Sequence, residues 1–418
     1  MTLASPFRLT FCNKPGVQET LLIFPAGPNT VLCISACKTQ ITFSRHLNLR
    51  TSFTSITAAT TSNKEMRLFD SSKSKGFYSS SNDENGPHEI TAANVSDLIE
   101  HIDTFIFDAD GVLWLGESAL HGSADFLRLL INEGKRVIVL TNNATKSRAA
   151  YAKKLRRIGF PESLDQACFH VARIRHAQNC DSFNCHERKA VNHIVNPAAV
   201  AADLLSRAGL GHRKVYVIGS RGICDELDAV GVKYFGCGTD DLTEKETRSD
   251  SGAFMFDFQL DVKPSDVGAV LVGYEKHFNY VKLMRASNYV ARSKECLFLA
   301  TNEDETCPGP DANLIIPDAG PIVSAVSVAS NRRPIVMGKP GNAAFDYITR
   351  RFRVNPKRTL MVGDRTNTDI LFGKRHGLRT MLVLSGCHSW SEIRQNQAED
   401  RFDQVPDFVA KSLGALID

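Results

Sequence analysis

The chain has 418 residues, with 50 Lys and Arg against 46 Asp and Glu, a formal net charge of +4. So small an excess gives no reason to expect a nucleic-acid groove, and no stretch reaches the uncharged apolar length of a membrane span. The length leaves room for about two or three domains, and the 11 Cys, scattered without a repeating spacing, read as reduced thiols in a reducing compartment.

Residues 1–90 differ from the rest. Up to Lys64 the only acid is Glu19, set against Arg8, Lys14, Lys38, Arg45, Arg50 and Lys64, and Ser and Thr crowd 51–62 and 71–81. An acid-poor, Ser-rich, basic start is compatible with a transit peptide; a disordered extension is the other reading. The expected location is the cytoplasm, or the mitochondrion if this extension is a targeting segment. Pro25 and Pro28 separate the apolar pieces 21–23 and 31–34 and exclude one long hydrophobic helix.

From Ile90 the pattern becomes regular. A short helix over 94–102 precedes the apolar run Thr104-Phe105-Ile106-Phe107, a buried strand. It ends in Asp108, Asp110 and Gly111. Unpaired buried carboxylates are costly, so a strand that delivers two of them points to a bound cation; the competing reading is a plain Asp-Gly turn. Helix over 119–133 stops at Gly134. Strand 136–140 ends in Thr141-Asn142-Asn143, and a basic helix covers 145–158. This alternation predicts a parallel sheet with right-handed crossovers, an α/β Rossmann-like core.

Residues 168–193 break the rhythm with Cys168, His170, His176, Cys180, Cys185, His186 and His193. The mixture invites a zinc reading, but the spacings match no familiar ligand pairing, and an inserted loop is the alternative. Beyond it come a helix over 196–208 and strands at 215–218, 269–272 and 297–300, with helices near 222–230 and 280–293. Residues 333–337 lead into Gly338-Lys339-Pro340. Helix 343–352, strand 359–362 ending in Gly363-Asp364-Arg365, helix 368–376 and strand 380–384 follow.

Ligands of open parallel sheets bind outside the carboxyl ends of the strands. Asp108 and Asp110, Thr141 and Asn142, Lys339, and Asp364 with Asp369 can therefore converge on one crevice. Carboxylates for a divalent cation, hydroxyl and amide donors for phosphate oxygens, and one lysine to offset the repulsion suit phosphoryl transfer. An all-oxygen site that leaves room for water and phosphate is what Mg2+ prefers.

DADGVLW, LTNNATKS, MGKPGNAAFD and VGDRTNTDILFG resemble, in that order, the four motifs of the haloacid dehalogenase superfamily of phosphatases. The flanking text is similar to the phosphoglycolate, pyridoxal phosphate and 4-nitrophenyl phosphatase group, from about Ile102 to Gly386, apart from the insertion. The resemblance implies Asp108 as nucleophile through an aspartyl-phosphate and Asp110 as general acid and base. It implies Thr141 and the Asn142 backbone as phosphate ligands, and Lys339 as the partner of nucleophile and phosphate. Mg2+ would sit on Asp108, the Asp110 carbonyl and Asp364, with Asp369 supporting from behind. It further implies an inserted α/β cap over 212–332, splitting the core into 91–211 and 333–418, with His277 as a candidate substrate contact and a homodimer through the cap. Asn367 stands where the family usually has an acid. The implied substrates are small phosphate monoesters such as 2-phosphoglycolate or glycerol phosphate. Pyridoxal phosphate hydrolysis, or a catalytically weak binding protein on the same fold, are the alternatives.

Overall fold

The structure is a computed structural model that describes residues 7–14, 17–23, 86–161, 164, 191–239, 259–307 and 314–418. The chain divides into two units, residues 1–80 and 81–418. In the first, Phe7–Lys14 and Val17–Ile23 pair as an antiparallel hairpin. The rest of the predicted extension up to residue 85, and the Cys/His-rich insertion up to residue 190, lie outside the described residues.

Among the described residues the second unit holds two parallel sheets. Seven strands make the larger one, in the order His88–Glu89, Phe408–Ala410, Arg379–Val383, Thr359–Gly363, Thr104–Phe107, Arg136–Leu140 and Ile194–Val195. The smaller sheet has five, in the order Tyr234–Phe235, Lys214–Ile218, Val267–Val272, Leu297–Ala300 and Ile335–Val336. The smaller sheet thus extends past the expected cap boundary at residue 332. Ile335 and Val336 pair with Leu299 and Ala300, because the segment entering Gly338-Lys339 completes that sheet before it returns to the larger one.

The central strands of each sheet are buried on both faces, as parallel sheets require. Along Lys214–Ile218 the side chains alternate with the strand period of two. Val215 and Val217 join a cluster that also holds Ile106, Ile138, Val195 and Met361 of the larger sheet. Tyr216 and Ile218 face the opposite way, onto Val270, Tyr289, Phe298 and Val323. One apolar cluster therefore runs across both sheets, and the Pro197–Arg207 helix lies in it, with Ala198, Val200, Ala201, Ala202 and Leu205 buried. At roughly 1.5–3 kcal/mol for each large aliphatic side chain removed from water, this shared interior is what holds the two sheets as one body.

Two predicted helices start later than their apolar pattern suggests. Ala119 belongs to a two-residue strand paired with Trp114–Leu115, and Gly122 is left-handed at φ 68°, so the helix runs Ser123–Asn132. Asn143 Oδ1 accepts the Thr145 N–H at 2.9 Å, a local turn that competes with helix, so the next helix runs Arg148–Arg157 with Ser147 as its cap. Among the described residues no helix is long and apolar enough to cross a membrane.

Candidate active site

The site forms where the carboxyl edges of the two sheets meet. Asp108 follows Phe107 directly, fixed by a 2.8 Å hydrogen bond from its N–H to the Val362 carbonyl on the neighbouring strand. Asp364 follows Gly363 on that neighbour, and Thr141 follows Leu140 on the other side. From the smaller sheet, the Ile335–Val336 strand delivers Lys339. Its Nζ donates to Asp108 Oδ1 at 2.5 Å, Asp369 Oδ1 at 2.7 Å and the Leu140 carbonyl at 3.0 Å, so all three donors of a lysine only 2% exposed are used.

Asp369 sits in a single wide helical turn, Thr366–Ile370, before the Leu371–Arg375 helix. Its second oxygen accepts the N–H groups of Asp364 at 3.2 Å and Arg365 at 3.0 Å. Both its oxygens are thereby engaged by protein, which suits a supporting role behind Asp364. Asn367, in the same turn, is exposed.

Carboxylate oxygens of Asp108, Asp364 and Asp369 lie within 4.8 Å of one another. One ammonium cannot neutralise three buried acids. Burial pushes the Asp108 carboxyl well above its usual range; Lys339 opposes this, and the neighbouring Asp369 and Asp364 add to it. Burial and Asp369 push Asp364 up to about 6. Burial works against the charge on Lys339, yet Asp108 and Asp369 outweigh it and hold the ammonium above its ordinary value. The excess of buried negative charge, carried wholly by oxygen donors, fits a hard divalent cation. Backbone comes close here because glycines allow it. A Cβ on Gly111, which has φ 86°, would stand 2.3 Å from Asp364 Oδ2, and one on Gly386 2.1 Å from the same oxygen.

Thr141 is buried, and its Oγ1 accepts the Asn143 N–H at 3.1 Å, leaving its own hydrogen to donate. The Asn142 side chain is not aimed at a phosphate. Its Oδ1 accepts the Lys339 N–H at 2.8 Å and its Nδ2 donates to the Lys339 carbonyl at 3.0 Å, clamping the lysine's backbone. The same Nδ2 reaches Asp304 Oδ2 at 3.1 Å. Asp304 belongs to a network in which Asn302 Nδ2 donates to Asp304 at 3.0 Å and to Asp318 at 3.1 Å. Asp110 turns one oxygen to the Trp114 indole, 2.9 Å away, and burial raises its carboxyl above the usual range, with Lys154 opposing.

The structure thus brings Asp108, Lys339, Asp364, Asp369, Thr141 and Asn142 together, with Asp110 two residues beyond Asp108. The His277 N–H donates to Glu275 Oε1 at 3.0 Å, and among the described residues its ring makes no hydrogen bond to the others. Sequence reasoning misses the clamp by Asn142 and the acids Asp304 and Asp318 as site residues; for Asp304 alone the Thr301-Asn302-Glu303-Asp304 run is a signal.

Known proteins are similar to the chain over most of its length. Residues 105–233 match the family model described as haloacid dehalogenase-like hydrolase, and residues 336–416 match a second, HAD-hydrolase-like model. Glycerol-3-phosphate phosphatase of Gallus gallus is 36% identical over 324 residues, 77% of this chain and 92% of its own. The chloroplastic phosphoglycolate phosphatase 1A of Arabidopsis thaliana is 34% identical over 328 residues, 76% of this chain and 79% of its own. Among solved structures, 4-nitrophenylphosphatase from Thermotoga maritima superposes with a TM-score of 0.56 at 25% identity, covering 77% of this chain and 98% of that one.

Proposed function

The chain belongs to the haloacid dehalogenase-like hydrolases and is a phosphoric monoester hydrolase, and we propose that it hydrolyses small phosphate esters with Mg2+ through an aspartyl-phosphate on Asp108. The observation that carries the reading is the placement of Lys339. An ammonium from a distant segment is buried against the carboxylate at the end of the Thr104–Phe107 strand, beside two further acids. Of the relatives' two named substrates, glycerol 3-phosphate and phosphoglycolate, we favour the first. Asp304, which Asn142 joins to the Lys339 backbone, and Asp318, which Asn302 joins to Asp304, repel a second carboxylate and accept hydroxyls. Partners beyond the ester, and a dimer through the smaller sheet's domain, remain expectations from the family.

In this mechanism Thr141 and the Asn142 backbone hold the phosphate, and Lys339 offsets its charge. Asp108 and Asp364 carboxylates and the Asp110 carbonyl would hold Mg2+, which supplies positive charge for the phosphoryl oxygens when bound. An Asp108 oxygen attacks phosphorus in line as the ester P–O bond breaks, and protonated Asp110 gives its proton to the departing alcohol oxygen. Asp110, now a carboxylate, takes a proton from water as that water attacks phosphorus. The Asp108–phosphorus bond then breaks, releasing inorganic phosphate and restoring both acids.

The test is turnover of 4-nitrophenyl phosphate and glycerol 3-phosphate by the purified chain, with Mg2+ and then with chelator. Turnover is expected with Mg2+ only, falling by at least about a thousandfold in Asp108→Asn, where the nucleophile is gone. Full activity in that variant removes the covalent route. A chain that turns over neither substrate but still binds phosphate supports the weak binding protein on the same fold.

A further inference from the structure

We propose that Trp114 is a positioning residue for Asp110: its indole N–H fixes one carboxyl oxygen and so dictates which oxygen carries the proton for the leaving group. The inference rests on the reading of Asp110 as general acid. The geometry begins in the loop. The N–H groups of Leu113 and Trp114 both donate to the Ala109 carbonyl, at 2.9 and 3.1 Å, and the Gly111 N–H donates to the Trp114 carbonyl at 2.8 Å. This tight return brings residue 114 back beside residue 110, and the indole Nε1 lies 2.9 Å from Asp110 Oδ1.

The indole cannot swing away. Trp114 is fully buried. Tyr151 stacks on it at 6.1 Å between ring centroids, Phe160 meets it edge-on at 6.2 Å, and Lys154 Nζ stands 4.4 Å from the ring centre while donating to the Gly116 carbonyl at 2.7 Å. The Tyr151 and Lys154 side chains come from the Arg148–Arg157 helix, which follows the Thr141–Asn142 loop. The arrangement thus ties the acid to the same helix as the phosphate loop.

An indole N–H only donates. Asp110 Oδ1 is therefore an acceptor in both protonation states, and when the carboxyl is neutral its hydrogen sits on Oδ2. During transfer Oδ2–H gives its proton to the ester oxygen as the P–O bond breaks and Asp108 bonds to phosphorus. In the second half Oδ2 takes one proton from the attacking water. Without the donor, the half-buried carboxyl is free to rotate and to place its hydrogen on either oxygen, which misaligns a step that depends on hydrogen-bond reach.

The leaving group separates this role from packing. A 4-nitrophenolate departs with little help, whereas a glycerol alkoxide needs the proton. The experiment compares kcat/KM, which reports the step in which the leaving group departs when that step is the first irreversible one, for glycerol 3-phosphate and 4-nitrophenyl phosphate in Trp114→Phe and in Asp110→Asn. Trp114→Phe is expected to lose about tenfold on the glycerol ester and no more than about threefold on the aryl ester, with Asp110→Asn showing the same asymmetry more deeply, within the range of general acid catalysis. Equal losses on both esters in Trp114→Phe, or none, with the asymmetry intact in Asp110→Asn, overturn the role of Trp114 alone. Absence of the asymmetry in Asp110→Asn overturns the general-acid reading and this inference with it. If Trp114→Phe does not fold, 3-benzothienylalanine at position 114 keeps the ring volume, lacks the N–H and carries the same comparison.

Discussion

Lys339 shows how much one side chain organises here. Its ammonium is buried because two carboxylates and a carbonyl surround it, and those carboxylates tolerate burial because it is there. Asn142 supports the arrangement by holding the lysine's backbone from both sides. A half-buried acid, Asp318, makes the pH dependence testable. Burial and the nearby Asp304 push it up to about 6, against an ordinary value of 3.8. A carboxyl whose folded value is raised binds its proton more tightly in the native state, so its contribution is lost as pH rises from about 4 through about 6. Asp318→Asn keeps an acceptor for Asn302 but carries no charge. At about pH 8 it is expected to be more stable than the parent by on the order of 2 kcal/mol, with no difference near pH 4. Urea unfolding at both pH values checks this; equal or lower stability at pH 8 contradicts it.

At the scale of elements, the site depends on how the smaller sheet is fastened to the larger. The Arg221–Ala229 helix lies against the segment that follows the Thr141–Asn142 loop. A Cβ on Gly222 would stand 2.6 Å from the Ala144 carbonyl oxygen. One turn on, Glu226 accepts the Arg148 N–H at 2.6 Å and its Nε and Nη2 at 3.0 and 2.8 Å, a two-pronged pair whose acid is 3% exposed. Glu226→Ala leaves a largely buried guanidinium without its partner, and a loss of about 3 kcal/mol in denaturant unfolding is expected. A change under about 0.5 kcal/mol means that the pair fastens nothing. These elements were unequally legible in the sequence. The central strands are continuous apolar runs buried on both faces, so they read clearly. The Ala319–Ser330 helix, AGPIVSAVSVAS, is hard to read as helix because Gly, Pro, Ser and β-branched residues dominate it; burial of Val323 and Val326 overrides its propensity. The Trp390–Ala398 helix did leave a sign, the Ser389-x-x-Glu392 capping box that the structure shows closed. Site residues at strand ends were legible because their chemistry is unusual there. Trp114 and Asp318 were not, because their roles arise from contacts between segments that no local pattern encodes.

Over the whole molecule, the same pair of sheets explains both stability and chemistry. Their shared apolar interior fixes the distance between two carboxyl edges, and the polar residues at those edges enclose the acids and the lysine. The bond that Asp108 is proposed to make to phosphorus is the step on which the covalent route turns. The most direct measurement is therefore a rapid acid quench of the Mg2+-loaded protein during turnover of glycerol 3-phosphate, followed by digestion and mass spectrometry. A phosphoryl group labile to hydroxylamine on the peptide that contains Asp108, absent from Asp108→Asn, is the predicted result. Active enzyme that carries no phosphoryl group at any quench time, or carries it on a peptide lacking Asp108, contradicts the account.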